Sequence, residues 1–217
     1  MAEKLSKGLF VTFEGPEGSG KSTHSKFLYE ELVSCGFEVV YTAEPGGTSL
    51  GSKIRNILLE KNEIQLSAIS ELFLFEADRA QHLEEVINPS LAEGKIVLCD
   101  RFNTATFAYQ GYGLGMDMET IETVDLKATG GIVPDLVILM DIDVKIGLNR
   151  ANENSGPDRM EKREKDFHER VRSGYLALAE KSPGRIKVIK VKETIEDTYK
   201  LIKEEVDDLI ERNKRTE

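Results

Sequence analysis

A phosphate-binding loop near the N-terminus constrains the fold of this chain more than any other feature of its sequence. Residues 15–22 read Gly-Pro-Glu-Gly-Ser-Gly-Lys-Ser and match the pattern G-x-x-x-x-G-K-S/T at every fixed position. The apolar residues 10–13 before the loop predict a strand, and residues 23–32 after it have the spacing of a helix. Strand, loop and helix in this order favour a nucleotide-binding P-loop over a chance glycine-rich turn.

The loop has the composition needed to hold a nucleoside triphosphate. Glycines let backbone N–H groups approach phosphate without a Cβ in the way, and the helix adds the positive end of its dipole. We expect Lys21 to bridge the terminal phosphates and Ser22 to offer its hydroxyl to Mg²⁺. The residues predicted to hold the nucleotide are Gly15, Pro16, Glu17, Gly18, Ser19, Gly20, Lys21, Ser22 and Thr23.

A P-loop indicates a nucleotide but leaves the reaction open. A GTPase would carry the guanine-reading pattern N-K-x-D, and a transport ATPase would carry a Ser-Gly-Gly signature. The sequence contains neither pattern. A phosphotransferase is therefore the favoured class.

Short apolar runs that alternate with helical patterns predict the fold. Residues 9–13, 38–41, 96–99 and 136–140 fit buried parallel strands, and residues 186–191 alternate as an edge strand would. We predict a three-layer α/β sandwich around a five-stranded parallel sheet, folded as one domain of residues 1–217 with a small lid. In such sheets, ligands bind at the carboxyl ends of the strands.

The overall composition limits the partners and the compartment. A net charge of −10 argues against a nucleic-acid polymer or an anionic membrane as the partner. Cys35 and Cys99 are the only cysteines, so neither a zinc site nor a disulfide framework is predicted. No apolar run approaches the ~20 residues of a membrane-spanning helix. We therefore expect a soluble, cytoplasmic protein.

Two predicted strands are followed by residues that suit phosphate binding. Asp100 and Arg101 follow the third strand; the aspartate fits a Mg²⁺ site and the arginine a transferring phosphate, although surface pairs of this kind are common. Residues 44–48, Glu-Pro-Gly-Gly-Thr, follow the second strand and predict a tight turn that a ligand can approach closely, or simply a connection to the next helix. Arg55 is either a second phosphate ligand or an exposed charge.

Further residues suggest a second binding site beside the P-loop. Phe75 and Arg79 lie four residues apart on one helix face, where a ring can stack on a base while a guanidinium binds phosphate or a base oxygen. By itself, an aromatic residue at this spacing is more often part of the core. Glu17 is an unusual acid within a phosphate-binding loop, and a sugar hydroxyl would be a natural partner for it. Together these residues predict a donor triphosphate site facing an acceptor monophosphate site.

A polar segment late in the chain is a candidate lid. Residues 149–163 lie between two helical patterns and mix acidic with basic side chains. They form either a solvated loop or a mobile lid that excludes water during transfer. Arg150 and Arg159 are the lid cations that we consider for catalysis, together with Lys21 and Arg101 outside the lid.

With these motifs assembled, the sequence resembles the thymidylate kinases of bacteria and archaea over essentially its whole length. Glu-Pro-Gly-Gly-Thr, followed later by Tyr-Gln-Gly at residues 109–111, is specific to that family. The resemblance also covers the following segments: residues 13–15, 75–81, 100–102, 134–135 with Asp141, and 158–159 leading to Tyr175.

The resemblance implies that ATP, with Mg²⁺, phosphorylates dTMP to dTDP for dTTP synthesis. Phe75 would stack on thymine, Arg79 would contact its oxygen, and Thr106 and Gln110 would help to read the base. Arg55 and Arg101 would bind the monophosphate, and Pro45 would contact the acceptor. Glu17 would bind the 3′-hydroxyl, and Tyr109 would exclude ribonucleotides. Ser22 and Asp100 would bind the metal. A homodimer is also implied.

The chain departs from the family pattern in two places. Ala43 precedes Glu-Pro-Gly-Gly-Thr where arginine is common, and the lid has Asn152 and Asn154 where arginines are expected. Related bacterial enzymes also lack an arginine in the P-loop, as here at Gly18, and supply it from the lid. The lid arginine that reaches the transferred phosphate is therefore left open. Another mononucleotide kinase and a slow ATP-hydrolysing switch are the alternatives. The scattered histidines are interpreted as satisfied surface residues rather than a catalytic group: His24, His82 and His168.

Overall fold

The computed structural model describes residue 5 and residues 7–59, 65–155, 159–160 and 163–215. Within them, five parallel strands form one sheet in the order β2-β3-β1-β4-β5. This confirms the predicted sheet, with strand ends shifted by one or two residues. The strands are β1 Leu9–Glu14, β2 Val39–Ala43, β3 Ile96–Asp100, β4 Leu136–Asp141 and β5 Ile186–Lys190.

Helices connect the strands and cover the sheet. Two π-helical turns, Leu83–Ile87 and Phe107–Gly113, continue directly from the helices that precede them. No described helix is both long and apolar enough to cross a membrane. The helices are α1 Lys21–Ser34, α2 Ser49–Leu59, α3 Ala68–His82, α4 Asn88–Ala92, α5 Asn103–Thr106, α6 Met118–Thr129, α7 Val144–Ser155, α8 Lys165–Lys181 and α9 Ile195–Arg215.

Two apolar layers hold the helices against the sheet. On one face, Val11 and Phe13 of β1 pack with side chains of α1 and α9. On the other face, Phe10 of β1 packs with the π-helical turn after α3, while β4 packs against α8. Because side chains alternate across a strand, a continuous apolar run such as β1 supplies both layers. The edge strand β5 buries Ile186 and Ile189 but exposes Val188, so the alternation predicted from its sequence is not kept along the strand.

The register of the central strands brings the P-loop beside the end of β3. Phe13 of β1 lies opposite Asp100 of β3, and Ala43 of β2 lies opposite Asp100 from the other side. The Glu44 N–H donates to the Asp100 carbonyl oxygen at 3.0 Å. The carboxyl ends of β1, β2 and β3 therefore converge at one edge of the sheet.

The interpretation of the histidines as surface residues is wrong, because all three are buried. His24, His82 and His168 are 3%, 0% and 1% exposed. Each ring bonds to a group deep in the fold: His24 Nδ1 to the Gly20 carbonyl oxygen at 2.8 Å, and His168 Nδ1 to Glu17 at 3.2 Å. His24 shares the buried face of α1 with Leu28 and Leu32, so helical spacing could have indicated its burial. The carboxylate that His168 binds is distant in sequence and gives no such local signal.

The candidate lid is helical in its first half. Residues 149–155 belong to α7, and residues 159–160 and 163 lie before α8. Residues 156–158 and 161–162, part of the same predicted lid, lie outside the described residues.

Candidate active site

A cavity of about 700 Å³ opens at the carboxyl ends of the strands. Its walls come from the P-loop, the turn after β2, α3, the end of β3 and the π-helical turn after α5. The structure therefore brings the predicted donor and acceptor residues together around one space. The predicted site residues that line it are Glu17, Gly18, Lys21, Ser22, Pro45, Arg55, Phe75, Arg79, Asp100, Arg101, Thr106, Tyr109 and Gln110.

Lys21 is the first residue of α1, and its side chain folds back to bind carbonyl oxygens of the P-loop. Its Nζ donates to the carbonyl oxygens of Gly15 at 3.1 Å and Pro16 at 2.8 Å. Burial, helped by the nearby charge of Arg101, lowers the pKa of Lys21 to about 8, although Asp100 opposes this shift. A buried cation thus sits where the loop would receive phosphate.

The P-loop requires glycine where α7 packs against it. Gly18 has a φ of 63°, and a Cβ built there would lie 2.0 Å from the carbonyl oxygen of Gly147. The contact is reciprocal, since a Cβ on Gly147 would lie 2.3 Å from the Glu17 carbonyl oxygen. The helix that begins the predicted lid is therefore in direct backbone contact with the P-loop.

Ser22 and Asp100 form a pair of oxygen ligands beside the cavity. The Ser22 hydroxyl donates to Asp100 Oδ2, which joins α1 to the end of β3. Hydroxyl and carboxylate oxygens are hard donors of the kind that Mg²⁺ uses together with water and phosphate oxygens. The pair thus fits a magnesium ion shared with a nucleotide. The described residues contain no cluster of three or more His, Cys, Asp or Glu that would hold a metal by itself.

Arg101 occupies a strained backbone position between the two halves of the cavity. Its φ of 71° lies in the left-handed region, which non-glycine residues rarely adopt. The guanidinium donates to the Gly15 carbonyl oxygen and to the Tyr175 hydroxyl, both at 3.2 Å, and lies 5.1 Å from the Tyr109 ring. These contacts direct the charge across the P-loop rather than away into solvent.

Glu17 is held as a buried carboxylate at the edge of the P-loop. The Tyr109 hydroxyl donates to Oε1 at 2.5 Å, and His168 Nδ1 lies 3.2 Å from Oε2. Burial would raise the pKa of Glu17, but the His168 hydrogen bond, the Arg101 charge and the Tyr109 hydrogen bond outweigh it and lower the pKa to about 2. An ionised acceptor is therefore available to a hydroxyl in the cavity.

Glu14 is a second buried carboxyl group near Arg101, and Tyr175 connects the two. Glu14 accepts hydrogen bonds from the Phe102 N–H at 2.8 Å and from the Tyr175 hydroxyl at 3.0 Å. Burial raises its pKa to about 7, against the opposing charge of Arg101. Tyr175, on α8, thus links Glu14 to Arg101.

Arg79 forms a fixed donor in the wall of the cavity. It is 2% exposed, and it bonds to Glu44 through Nε at 2.9 Å and to Glu76 and Thr106 through NH1. Phe75, one turn earlier on α3, is half-buried and lines the same cavity. The predicted aromatic and cation therefore share one wall.

The turn after β2 is stabilised by a residue that the sequence did not reveal. Asp78 Oδ1 accepts the Gly46 N–H at 3.1 Å, and burial, with the nearby charge of Glu44, raises the pKa of Asp78 to about 7. Arg55 donates through NH1 to the Pro45 carbonyl oxygen at 2.7 Å. Both sides of the turn are thus held in place.

The two lid arginines lie apart from the cavity wall. Arg159 donates through Nε to the Leu58 carbonyl oxygen at 2.7 Å and forms a salt bridge with Glu71 at 2.6 Å. Arg150 is exposed on α7. Neither lines the cavity, but Met160, the neighbour of Arg159, does.

Sequence reasoning missed residues that reach the site through tertiary packing. Lys26, Tyr41 and Met160 line the cavity. Glu71 binds Gln110 and His168 binds Glu17, and both of those partners line the cavity. Lys26 lies one turn after Ser22 on the helix that follows the P-loop, so helical spacing alone could have indicated it. The other four carry no comparable signal.

Comparisons with known proteins agree with this geometry. A family model described as "Thymidylate kinase" matches residues 13–202. The thymidylate kinase of Desulfovibrio desulfuricans is 48% identical over 196 residues, covering 87% of this chain and 90% of that protein. That of Pelotomaculum thermopropionicum is 50% identical over 184 residues, covering 84% and 85%. The crystal structure of thymidylate kinase from Ehrlichia chaffeensis superposes with a TM-score of 0.76 at 35% identity, covering 93% of this chain and 99% of that one.

Proposed function

The chain belongs to the thymidylate kinase family, which phosphorylates dTMP to dTDP with ATP, and we propose how its cleft carries out this reaction. The observation that supports the proposal is the position of Arg101. It lies between a P-loop with a buried lysine and a pocket walled by Phe75, Arg79 and Gln110, in one continuous cavity.

The donor half of the site would hold ATP. Backbone N–H groups of the loop, from the residues other than Pro16, would cradle the phosphates, and Lys21 would exchange its carbonyl partners for phosphate oxygens. Ser22 and Asp100 would hold Mg²⁺, which neutralises charge on the β- and γ-phosphates. The proposed donor residues run from Gly15 to Thr23.

The acceptor half would hold dTMP. Phe75 would stack on the face of thymine, while Arg79, Thr106 and Gln110, which line the same cavity, would bind the base edge. Arg55 and Arg101 bind the monophosphate, beside the turn at Pro45. Glu17 accepts the 3′-hydroxyl, which its ionised state allows. Tyr109, held by its bond to Glu17, would exclude a 2′-hydroxyl.

Transfer needs alignment and charge neutralisation rather than a general base. The dTMP phosphate has its second pKa near 6, so its attacking oxygen is ionised at about pH 7. This oxygen bonds to the γ-phosphorus of ATP as the bond to the β–γ bridging oxygen breaks, which leaves ADP. Lys21 and Arg101 stabilise the shared charge. Arg150 and Arg159 are the proposed lid cations, and Arg159 would have to leave Glu71 to reach the phosphoryl group.

We also propose a single domain with a lid at residues 149–163, assembled as a cytoplasmic homodimer. Apolar side chains on three neighbouring helices support the dimer, since a helical interface would cover them. The exposed ones are Leu50 and Ile57 on α2, Ile69 and Phe73 on α3, and Leu126 on α6. The excess of acidic residues does not favour a nucleic-acid or membrane partner.

A coupled assay of ADP release across nucleoside monophosphates tests the function. We expect ATP consumption to depend on dTMP and to exceed that with AMP, GMP or CMP. Faster turnover with one of those three would indicate a different mononucleotide kinase. Consumption independent of any acceptor would indicate a nucleotide-hydrolysing switch.

A further inference from the structure

Glu71, on α3, is a buried carboxylate whose two oxygens bind different parts of the site. It is 1% exposed. Oε1 accepts from Gln110 Nε2 at 2.8 Å, and Oε2 accepts from Arg159 at 2.6 Å and from Arg163 at 3.0 Å. One side chain therefore connects the lid to the π-helical turn that carries Gln110.

The salt bridges determine which way the Gln110 amide faces. A carboxylate paired with two guanidinium groups can only accept hydrogen bonds. Gln110 must therefore direct its NH₂ group, not its carbonyl oxygen, toward Glu71. Because Gln110 is 1% exposed and lines the cavity, the polar group it can present there is Oε1. The Gln110 amide could otherwise face either way, and Glu71 thus restricts it to presenting an acceptor to the cavity.

A fixed acceptor and a fixed donor that line the same cavity can together read one edge of a pyrimidine. Arg79 offers only donors, and its position is set by Glu44, Glu76 and Thr106. Thymine and uracil present an N3–H donor next to a C4 carbonyl acceptor, so they complement this pair. Cytosine presents an N3 acceptor next to a C4 amino donor, so both of its groups are mismatched.

We propose that Glu71 is a positioning residue that locks the Gln110 carbonyl oxygen toward the base and so makes the acceptor site reject cytosine. This inference rests on the proposed function, in which Gln110 and Arg79 meet the base edge. Arg163 allows the lock to persist when Arg159 moves, since it binds the same oxygen of Glu71. Replacing Glu71 with glutamine removes the restriction, because an amide can donate as well as accept and Gln110 can then turn over.

The test compares kcat/KM for dTMP, dUMP and dCMP in the wild-type enzyme and in Glu71→Gln. We expect the dTMP/dCMP ratio to fall about tenfold, the size of effect that one mispaired hydrogen bond produces. The dTMP/dUMP ratio should not change, because uracil differs from thymine only at C5. Any weakening of the bonds between Glu71 and the lid arginines changes kcat/KM for all three substrates alike. Such a change therefore cancels in the ratios.

A double-mutant cycle separates positioning from a general structural effect. In a Gln110→Ala background, Glu71→Gln should leave the dTMP/dCMP ratio unchanged, because its proposed target is gone. Glu84→Gln, an exposed glutamate in the π-helical turn that continues α3, is the matched control and should leave both ratios unaltered. If Glu71→Gln does not fold, Glu71→Asp, whose carboxylate is one methylene further from Gln110, should lower the ratio in the same direction.

An unchanged dTMP/dCMP ratio in folded Glu71 variants would overturn the inference. So would an equal fall in the ratio with and without Gln110. Failure of the proposed function looks different, since the wild-type enzyme would then show no dTMP-dependent ATP consumption.

Discussion

His168 Nδ1 lies 3.2 Å from Glu17 Oε2, which joins α8 to the P-loop across 151 residues of sequence. Because Glu17 is ionised, Nδ1 must be the donor in this pair. Helix α8, which follows the proposed lid, therefore fixes the carboxylate proposed to receive the deoxyribose hydroxyl.

Replacing His168 with leucine is expected to raise KM for dTMP about tenfold, since a buried charge loses a hydrogen bond worth roughly 1.5–3 kcal/mol. KM for ATP should not change. His168→Asn, whose side-chain nitrogen can replace Nδ1, should recover most of the loss. Steady-state kinetics with dTMP and with its 3′-deoxy analogue provide the measurement. An equal loss with the analogue would show that His168 does not act through the hydroxyl contact.

Lys21→Ala is expected to lower kcat by about a thousandfold or more, because it removes a buried cation at the transferring phosphate. The coupled ADP assay measures the effect, and circular dichroism verifies the fold. Lys200→Ala removes an exposed lysine on α9 and serves as the control. Turnover near the wild-type rate in Lys21→Ala would contradict the P-loop assignment.

The activity should also decline in alkaline solution. Burial, with Arg101, lowers the pKa of Lys21 to about 8, so the free enzyme loses this positive charge as the pH rises through that value. Since kcat/KM reports the free enzyme, its value for ATP should fall above about pH 8. Phosphates with a second pKa near 6 are already ionised there and cannot cause the decline. A profile that stays level until about pH 10, near the ordinary pKa of lysine, would exclude Lys21 as the titrating group.

Arg159→Ala tests the lid. If Arg159 leaves Glu71 to stabilise the transition state, its loss should lower kcat by about tenfold or more and change KM for dTMP much less. Arg150→Ala measured in parallel distinguishes the two lid cations. A change confined to KM for dTMP would assign Arg159 to its observed bonds with Leu58 and Glu71 instead.

Gly147→Ala tests the contact between α7 and the P-loop. The added Cβ would lie 2.3 Å from the Glu17 carbonyl oxygen, so the loop or the helix must move. We expect a loss of about 2 kcal/mol in the free energy of unfolding, as for other overpacked sites, together with a higher KM for ATP. Gly184→Ala is the control, since its Cβ would meet nothing within 4 Å. Equal stability of the two variants in denaturant titrations would refute the contact.

Local sequence patterns predicted the parts of the site that are themselves local. The P-loop lies between β1 and α1 as expected, and Asp100 and Arg101 end β3 beside it. The i, i+4 spacing of Phe75 and Arg79 placed both on one wall of the cavity. Such patterns are informative because a strand, a tight turn and a helix face each depend on residues that are close in sequence.

The predictions failed where a residue's environment comes from distant elements. The three histidines are polar, yet packing of α1, α3 and α8 against the sheet buries them. The helical spacing of His24 with Leu28 and Leu32 could have indicated burial, but the carboxylates that His82 and His168 bind lie on distant elements. Glu71 on α3 carries no local signal of its bond to Gln110, which lies 39 residues later. Only the folded chain brings such groups within hydrogen-bond distance.

By itself, the sequence determined the nucleotide loop, the parallel sheet and the family, because each depends on short-range spacing repeated along the chain. The tertiary structure alone decided how the carboxylates of Glu17 and Glu71 are held, and therefore what each offers the cavity. The physical reason is that the direction of a hydrogen bond depends on its partner, and here the partners, His168 and Gln110, lie on elements far away in the sequence.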